Sequence, residues 1–155
     1  MANARFQLFR SATQTLTLAL SGELDESTAL YCERETRADL ALVVRRSLRV
    51  LWDLQALTGY SLEARVVFVR LQQYLSNKAL RIAYVADGPV ARSLALWSAR
   101  MGNQSGACIA ADHAAAADWL SGRDESAVRI VVPQGLQPVS PVLCDAPWAR
   151  KAIGH

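Results

Sequence analysis

Residues 48–86, LRVLWDLQALTGYSLEARVVFVRLQQYLSNKALRIAYVA, decide the fold. Their first part, LRVLWDL over 48–54, is a compact apolar run suited to a strand covered on both faces, as in a parallel sheet. After the loop QALTGY, Ser61 is placed to cap a helix in which Ala64, Val67, Phe68, Leu71 and Leu75 recur at helical spacing. LRIAYVA over 80–86 then reads as the next strand. Strand, helix and strand in this order form a crossover unit that sets two strands parallel.

The same alternation extends in both directions. Upstream, FQLF (6–9) and TLTLAL (15–20) read as a hairpin or two neighbouring strands, with Leu16, Leu18 and Leu20 on one face. Gly22 then reads as a breaker, and Asp25 or Ser27 as the cap of a helix. Its inner face would carry Ala29, Cys32, Thr36, Leu40 and Val43, leaving Glu33, Arg34, Glu35, Arg37 and Asp39 to solvent. Downstream, Asp87 and Pro89 open a third helix with Val90, Leu94, Trp97 and Met101 inward and Gly102 as a left-handed stop. GACIA (106–110) is a weak strand, and Asp112 caps a fourth helix through Ala117, Trp119 and Leu120 that Gly122 ends. The pattern predicts an α/β fold with a mostly parallel central sheet.

Beyond Gly122 the composition changes, because four of the five prolines (133, 138, 141 and 147) fall there. The expected organisation is one α/β domain over residues 1–122, then a possible edge strand at 127–132 and a proline-rich tail within 123–155.

Apolar residues make up 52% of the 155-residue chain and charged residues 20%, which selects a packed globule over disorder. The net charge of +3 is almost wholly arginine against carboxylate, since Lys78 and Lys151 are the only lysines. The arginines are dispersed and do not alternate with aromatic residues, so a nucleic-acid partner is not expected. No run is long and apolar enough for a membrane span. Cys32, Cys108 and Cys144 form no CxxC pair, are odd in number and follow no apolar leader, so a reducing, cytoplasmic setting is expected.

The chemical motifs are sparse. Gly59-Tyr60-Ser61 lies between a strand and a helix like a hydrolase nucleophile elbow, but Glu63 stands where that turn needs a small residue. His113 and His155 are the only histidines, and Cys108 with His113 has no second pair to complete a metal site. Neither GxxxxGK[ST] nor GxGxxG occurs. No cofactor, metal or catalytic set is therefore expected, and Asp53, Asp87 and His113 are the residues to mutate if the chain is an enzyme. Asp53 and Asp87 stand at the C-terminal ends of parallel strands, the edge where ligands bind such sheets. Each also has a structural reading, Asp53 bonding loop amides and Asp87 capping its helix. Trp52, Trp97 and Trp119 read as core, and Tyr60, in a loop, as freer to meet a partner.

Four stretches carry a resemblance: LTLALSGELD, LRVLWDLQALTGYSLEA, RIAYVADGPVARSLALWSARMG and CIAADHAAAADWL. Together they resemble the STAS domain of bacterial anti-sigma-factor antagonists and, more closely, the SpoIIAA-like (STAS/SEC14) proteins. The resemblance implies a sheet of about five strands with about four helices. It also implies a non-catalytic regulatory or scaffold module that binds another protein. In phosphorylated members Asp-Leu is followed by a loop ending in Asp-Ser-Ser-Gly, where a partner kinase modifies one serine. Here Asp53-Leu54 matches, while an ungapped reading lays Ser61-Leu62-Glu63-Ala64 over that motif and replaces the acceptor by Glu63. A short gap instead brings Ser61 over it, without the neighbouring Asp and Gly. The interaction or ligand candidates are thus Asp53, Thr58, Tyr60, Ser61, Glu63 and Asp87. The SEC14 side of the resemblance implies an alternative, a small apolar or lipid-like ligand between sheet and helix. An edge strand or the apolar tail leaves room for a homodimer.

Overall fold

Leucines at every second position of a strand must share one face, and Leu16, Leu18 and Leu20 are accordingly buried while Thr15, Thr17 and Ala19 between them are half-buried. The computed structural model describes residues 4–11, 14–43, 47–102 and 107–122. In chain order these form β1 (Arg5–Arg10), β2 (Thr15–Leu24), α1 (Glu26–Leu40), β3 (Leu48–Tyr60), α2 (Leu62–Ser76), β4 (Ala79–Val85), α3 (Pro89–Met101), β5 (Ala107–Ala110) and α4 (His113–Ser121). The strands lie side by side in the order β1-β2-β3-β4-β5. β1 and β2 form the expected hairpin, antiparallel, and every later pair is parallel.

The two faces of the sheet are covered unequally. Leu16, Leu18, Val50, Trp52, Leu54, Ile82 and Tyr84 share one core with the inner sides of α1, α2 and α3. On the other face, among the described residues, Leu51, Ala83, Val85, Cys108 and Ala110 pack beneath α4, through Ala116, Trp119 and Leu120. Asp25, Ser61 and Asp112 cap α1, α2 and α4 through their side chains, as their spacing predicts. Gly122 ends α4 at φ +78°, the left-handed conformation that glycine adopts without steric cost.

Five expectations are corrected. Gly22 does not end β2; at φ +79° it sits inside the strand beside two register shifts, which is the geometry of a bulge. The bulged β2 runs on beside residues 55–60, so QALTGY is the second half of β3 and Tyr60 closes a strand. In α3 the buried side is Ala91, Leu94, Ala95, Ser98 and Ala99, whereas Trp97 and Met101 are exposed. Small residues let that helix lie close to the sheet, and the bulky ones are turned towards α2, where Arg65 stacks on the Trp97 ring at 4.3 Å. Gly102 has φ −75°, so it is no left-handed stop, and Asp87 is not the cap of α3, whose N-cap is Gly88 without a side-chain bond. The edge strand at 127–132, the tail and the boundary at 122–123 fall outside the described residues.

Glu33 departs from the solvated face assigned to it: it is buried and accepts two hydrogen bonds from Arg70 of α2, at 2.7 and 2.6 Å. Arg37, one turn along α1, lies 3.5 Å from it and stacks on Tyr74. The Arg70 bonds hold the Glu33 carboxyl below its ordinary value, although burial pushes the other way. A carboxyl depressed in the folded state contributes stability above its unfolded pKa and loses it as pH falls through the folded one. Glu33→Gln should therefore weaken the protein at neutral pH and flatten the acid limb of its stability curve, read by urea denaturation from neutral pH down through the carboxylate range.

Gln72 joins α2 to the sheet. Its side-chain oxygen accepts from Trp52 Nε1 and from the Tyr84 hydroxyl, each at 3.0 Å and all buried. Gln72→Leu keeps the volume but removes the acceptor that two buried donors share, the loss of each bond costing about 1–3 kcal/mol. The expected loss of unfolding free energy is about 2–5 kcal/mol, measured by chemical denaturation.

Candidate functional site

Parallel strands β2, β3 and β4 deliver their C-terminal ends to one edge of the sheet, and the starts of α2 and α3 open there. Ser61 is fixed at this edge by both ends of its backbone and by its side chain. Its N–H donates to the Leu24 carbonyl (3.0 Å), its carbonyl accepts from Arg65 N–H (3.0 Å), and its Oγ accepts from Ala64 N–H (3.1 Å). Glu63 stands in the first turn of α2 and is exposed. That position favours a negative charge beside the positive end of the helix dipole.

Tyr60 is half-buried rather than free, and its hydroxyl lies 2.7 Å from Ser93 Oγ, joining the end of β3 to α3. Thr58 is exposed on the same strand end. Asp87 is exposed at the end of β4, 3.3 Å from an Arg92 guanidinium nitrogen. Thr58, Tyr60, Ser61, Glu63 and Asp87 thus all stand at the strand ends and helix starts on one edge.

Asp53 belongs elsewhere. It points to the α4 face, where Oδ1 accepts from Gln55 N–H (3.1 Å) and Oδ2 meets His113 Nε2 at 3.0 Å. The loop-amide bond is the structural role read for it. The His113 contact joins β3 to the first turn of α4 across sixty residues and has no counterpart in the local sequence pattern. A cleft of about 360 Å³ lies beside it, walled by Arg5, Gln7, Ser21, Asp53 and Gln55 among others. Asp53, Asp87 and His113 therefore do not converge, because Asp87 is turned to Arg92 on α3. Among the described residues no group of three metal-ligating side chains occurs, and no helix is long and apolar enough to cross a membrane. The space between the sheet and α1–α3 is filled by Trp52, Phe68, Tyr84 and leucines, with the Trp52 and Phe68 rings 4.7 Å apart.

Sequence reasoning missed the apolar surface next to Glu63. Leu62 and Val66, one turn apart on α2, are 61% and 58% exposed, and Trp97 and Met101 on α3 are exposed as well, the Trp97 ring lying under Arg65 of α2. The available signal was Leu62 itself, a leucine in the first helical turn that falls outside the Ala64–Val67–Phe68–Leu71 stripe.

No family model and no curated protein matches the chain. Solved structures do. An uncharacterised protein of the DUF3478 family with a SpoIIAA-like fold, from Shewanella loihica PV-4, is 23% identical, with a TM-score of 0.59 over 77% of this chain and 98% of that one. An anti-sigma factor antagonist from Mycobacterium paratuberculosis is 17% identical, with a TM-score of 0.57 over 77% and 95% of the two chains. The unphosphorylated anti-sigma factor antagonist SpoIIAA is 19% identical, with a TM-score of 0.56 over 76% and 97%. Among the described residues the chain is an α/β module with one antiparallel edge hairpin and three helices on one face. Its fold is that of SpoIIAA, the STAS type, as the resemblance implies.

Because Ser61 acts as the N-cap of α2, Ser61→Ala should lower the unfolding free energy by about 0.5–2 kcal/mol, whereas Ser61→Asp should lie close to wild type. Thermal and urea unfolding of the two variants check this.

Proposed function

We propose that the protein is a non-catalytic, STAS-like regulatory or scaffold module. It binds another protein through the strand ends and helix starts around Thr58, Tyr60, Ser61 and Glu63, without a phosphoserine switch. The observation that carries this reading is the first turn of α2. The Ser61 hydroxyl is engaged in capping, Glu63 supplies a permanent charge, and Leu62 and Val66 beside them expose apolar side chains. A phosphate adds more charge and three acceptor oxygens, so Glu63 imitates it only in sign. Apolar side chains bordered by charge are the usual composition of a protein-binding patch. The fold shared with anti-sigma factor antagonists supports the same reading.

The test is recovery of partners from a native extract by the wild type and by Leu62→Glu/Glu63→Arg. Both positions are exposed, so the variant should keep its melting temperature while losing the bound protein. Unchanged recovery with a folded variant rejects the surface. The absence of a switch is checked separately by the intact mass of the protein purified from its own cells, where a phosphate on Ser61 would contradict it. Native mass spectrometry of the same sample addresses the alternative, since a co-purified apolar molecule would favour a ligand-binding role.

A further inference from the structure

β5 is the outermost strand of the sheet, and among the described residues no strand pairs with its outer side. An outer strand ordinarily leaves one side of its backbone to solvent, yet Ala107, Cys108, Ile109 and Ala110 are each no more than 2% exposed. The described helices account for its two faces only. Ala107 and Ile109 pack on the side of α3, and Cys108 and Ala110 beneath α4. The cysteines differ in state. Cys32 is free and buried on α1, where burial pushes its thiol up and away from the reactive range. Cys108 is disulfide-bonded. With three cysteines in the chain and Cys32 free, Cys144 is the one left to hold Cys108 within a single copy.

We propose that Cys108 pairs with Cys144 in a reversible disulfide, which fastens residues 123–144 against the outer side of β5. The return path is short. α4 carries the chain back along the sheet, and Trp119 and Leu120 in its last turn share the apolar cluster that holds Cys108. Residues 123–143 span about 70 Å when extended, far more than a return from Gly122 to that cluster needs. Val142 and Leu143 precede Cys144 and bring apolar side chains to the bond, matching Ala83, Val85 and Trp119 around Cys108. Closing the bond takes two electrons and two protons from the two thiols, and a small disulfide such as oxidised glutathione accepts them and leaves as two thiols. In the reducing setting expected for the chain, such a bond is made on oxidation and opened again by thiols. The surface proposed for protein binding belongs to the starts of α2 and α3, so oxidation acts on the α4 face and leaves that surface open.

The full chain is equilibrated with oxidised glutathione, and its thiols are then alkylated in denaturant without reductant. Mass spectrometry should find Cys32 alone alkylated and a peptide linking residues 108 and 144, with all three cysteines alkylated after reduction. Reduction should lower the melting temperature of the oxidised protein by roughly 5–15 °C. Cys144→Ser should melt like the reduced wild type and show no response to reduction. These results together support the fastening. Three alkylated cysteines after oxidation, glutathione adducts in place of the link, a link through Cys32, or a link between two copies overturns it. So does a melting temperature that reduction leaves unmoved.

Discussion

The helix side of this protein depends on one side-chain oxygen. Gln72 accepts from Trp52 on β3 and from Tyr84 on β4, so a single buried acceptor holds two adjacent parallel strands and the helix that covers them in one register. In a strand that is apolar on both faces a one-residue slip exposes no polar face to the core, so the hydrophobic pattern alone constrains register less than strict alternation does. Directional bonds in a low-dielectric interior remove that freedom, because any shift leaves buried donors unpaired. Trp52 and Tyr84 face each other across the β3–β4 ladder, and Phe68 closes the aromatic layer from α2.

A second polar junction does for α1 what Gln72 does for the sheet. Glu33 faces the neighbouring helix rather than water, and the paired Arg70 fork with the Arg37–Tyr74 stack sets α1 against α2. An ion pair of this kind, half shielded from solvent, adds specificity more than raw stability. Its position explains why the charged face of α1 misleads: Glu33 is one residue from Cys32 on the helix surface, within the arc that the core already occupies.

What the sequence made legible follows physical range. Capping, hairpin pairing and apolar periodicity involve residues within one turn or one strand, and Asp25, Ser61, Asp112 and the β1–β2 pair were all readable from them. The longer reach of β3 was not, since residues 55–60 become a strand only because the bulge at Gly22 lets β2 run beside them. Nor was the exposure of Trp97. Its spacing fits a core stripe as well as Ala91–Leu94–Ala95–Ser98 does, and the choice is made by how closely α3 approaches the sheet. The Asp53–His113 contact is tertiary, assembled from segments that no local pattern connects. Of the candidate site, the strand ends were legible and the apolar half of the patch was not.

The first turn of α2 unites these levels. A switch by phosphorylation needs a hydroxyl whose modification changes either local structure or charge. The Ser61 hydroxyl oxygen supplies the acceptor that an uncapped helix start would lack. Glu63 sits in the same turn, where the helix dipole favours a negative charge. The backbone of Ser61 is in turn bonded to Leu24 at the end of β2, so the position of that turn is set by the sheet rather than by a mobile loop. This helix start, bonded to the end of β2, carries exposed Leu62 and Val66 beside Glu63. Under the proposed function, control over binding then falls to the partner or to the concentration of the module, not to covalent modification of its own binding loop.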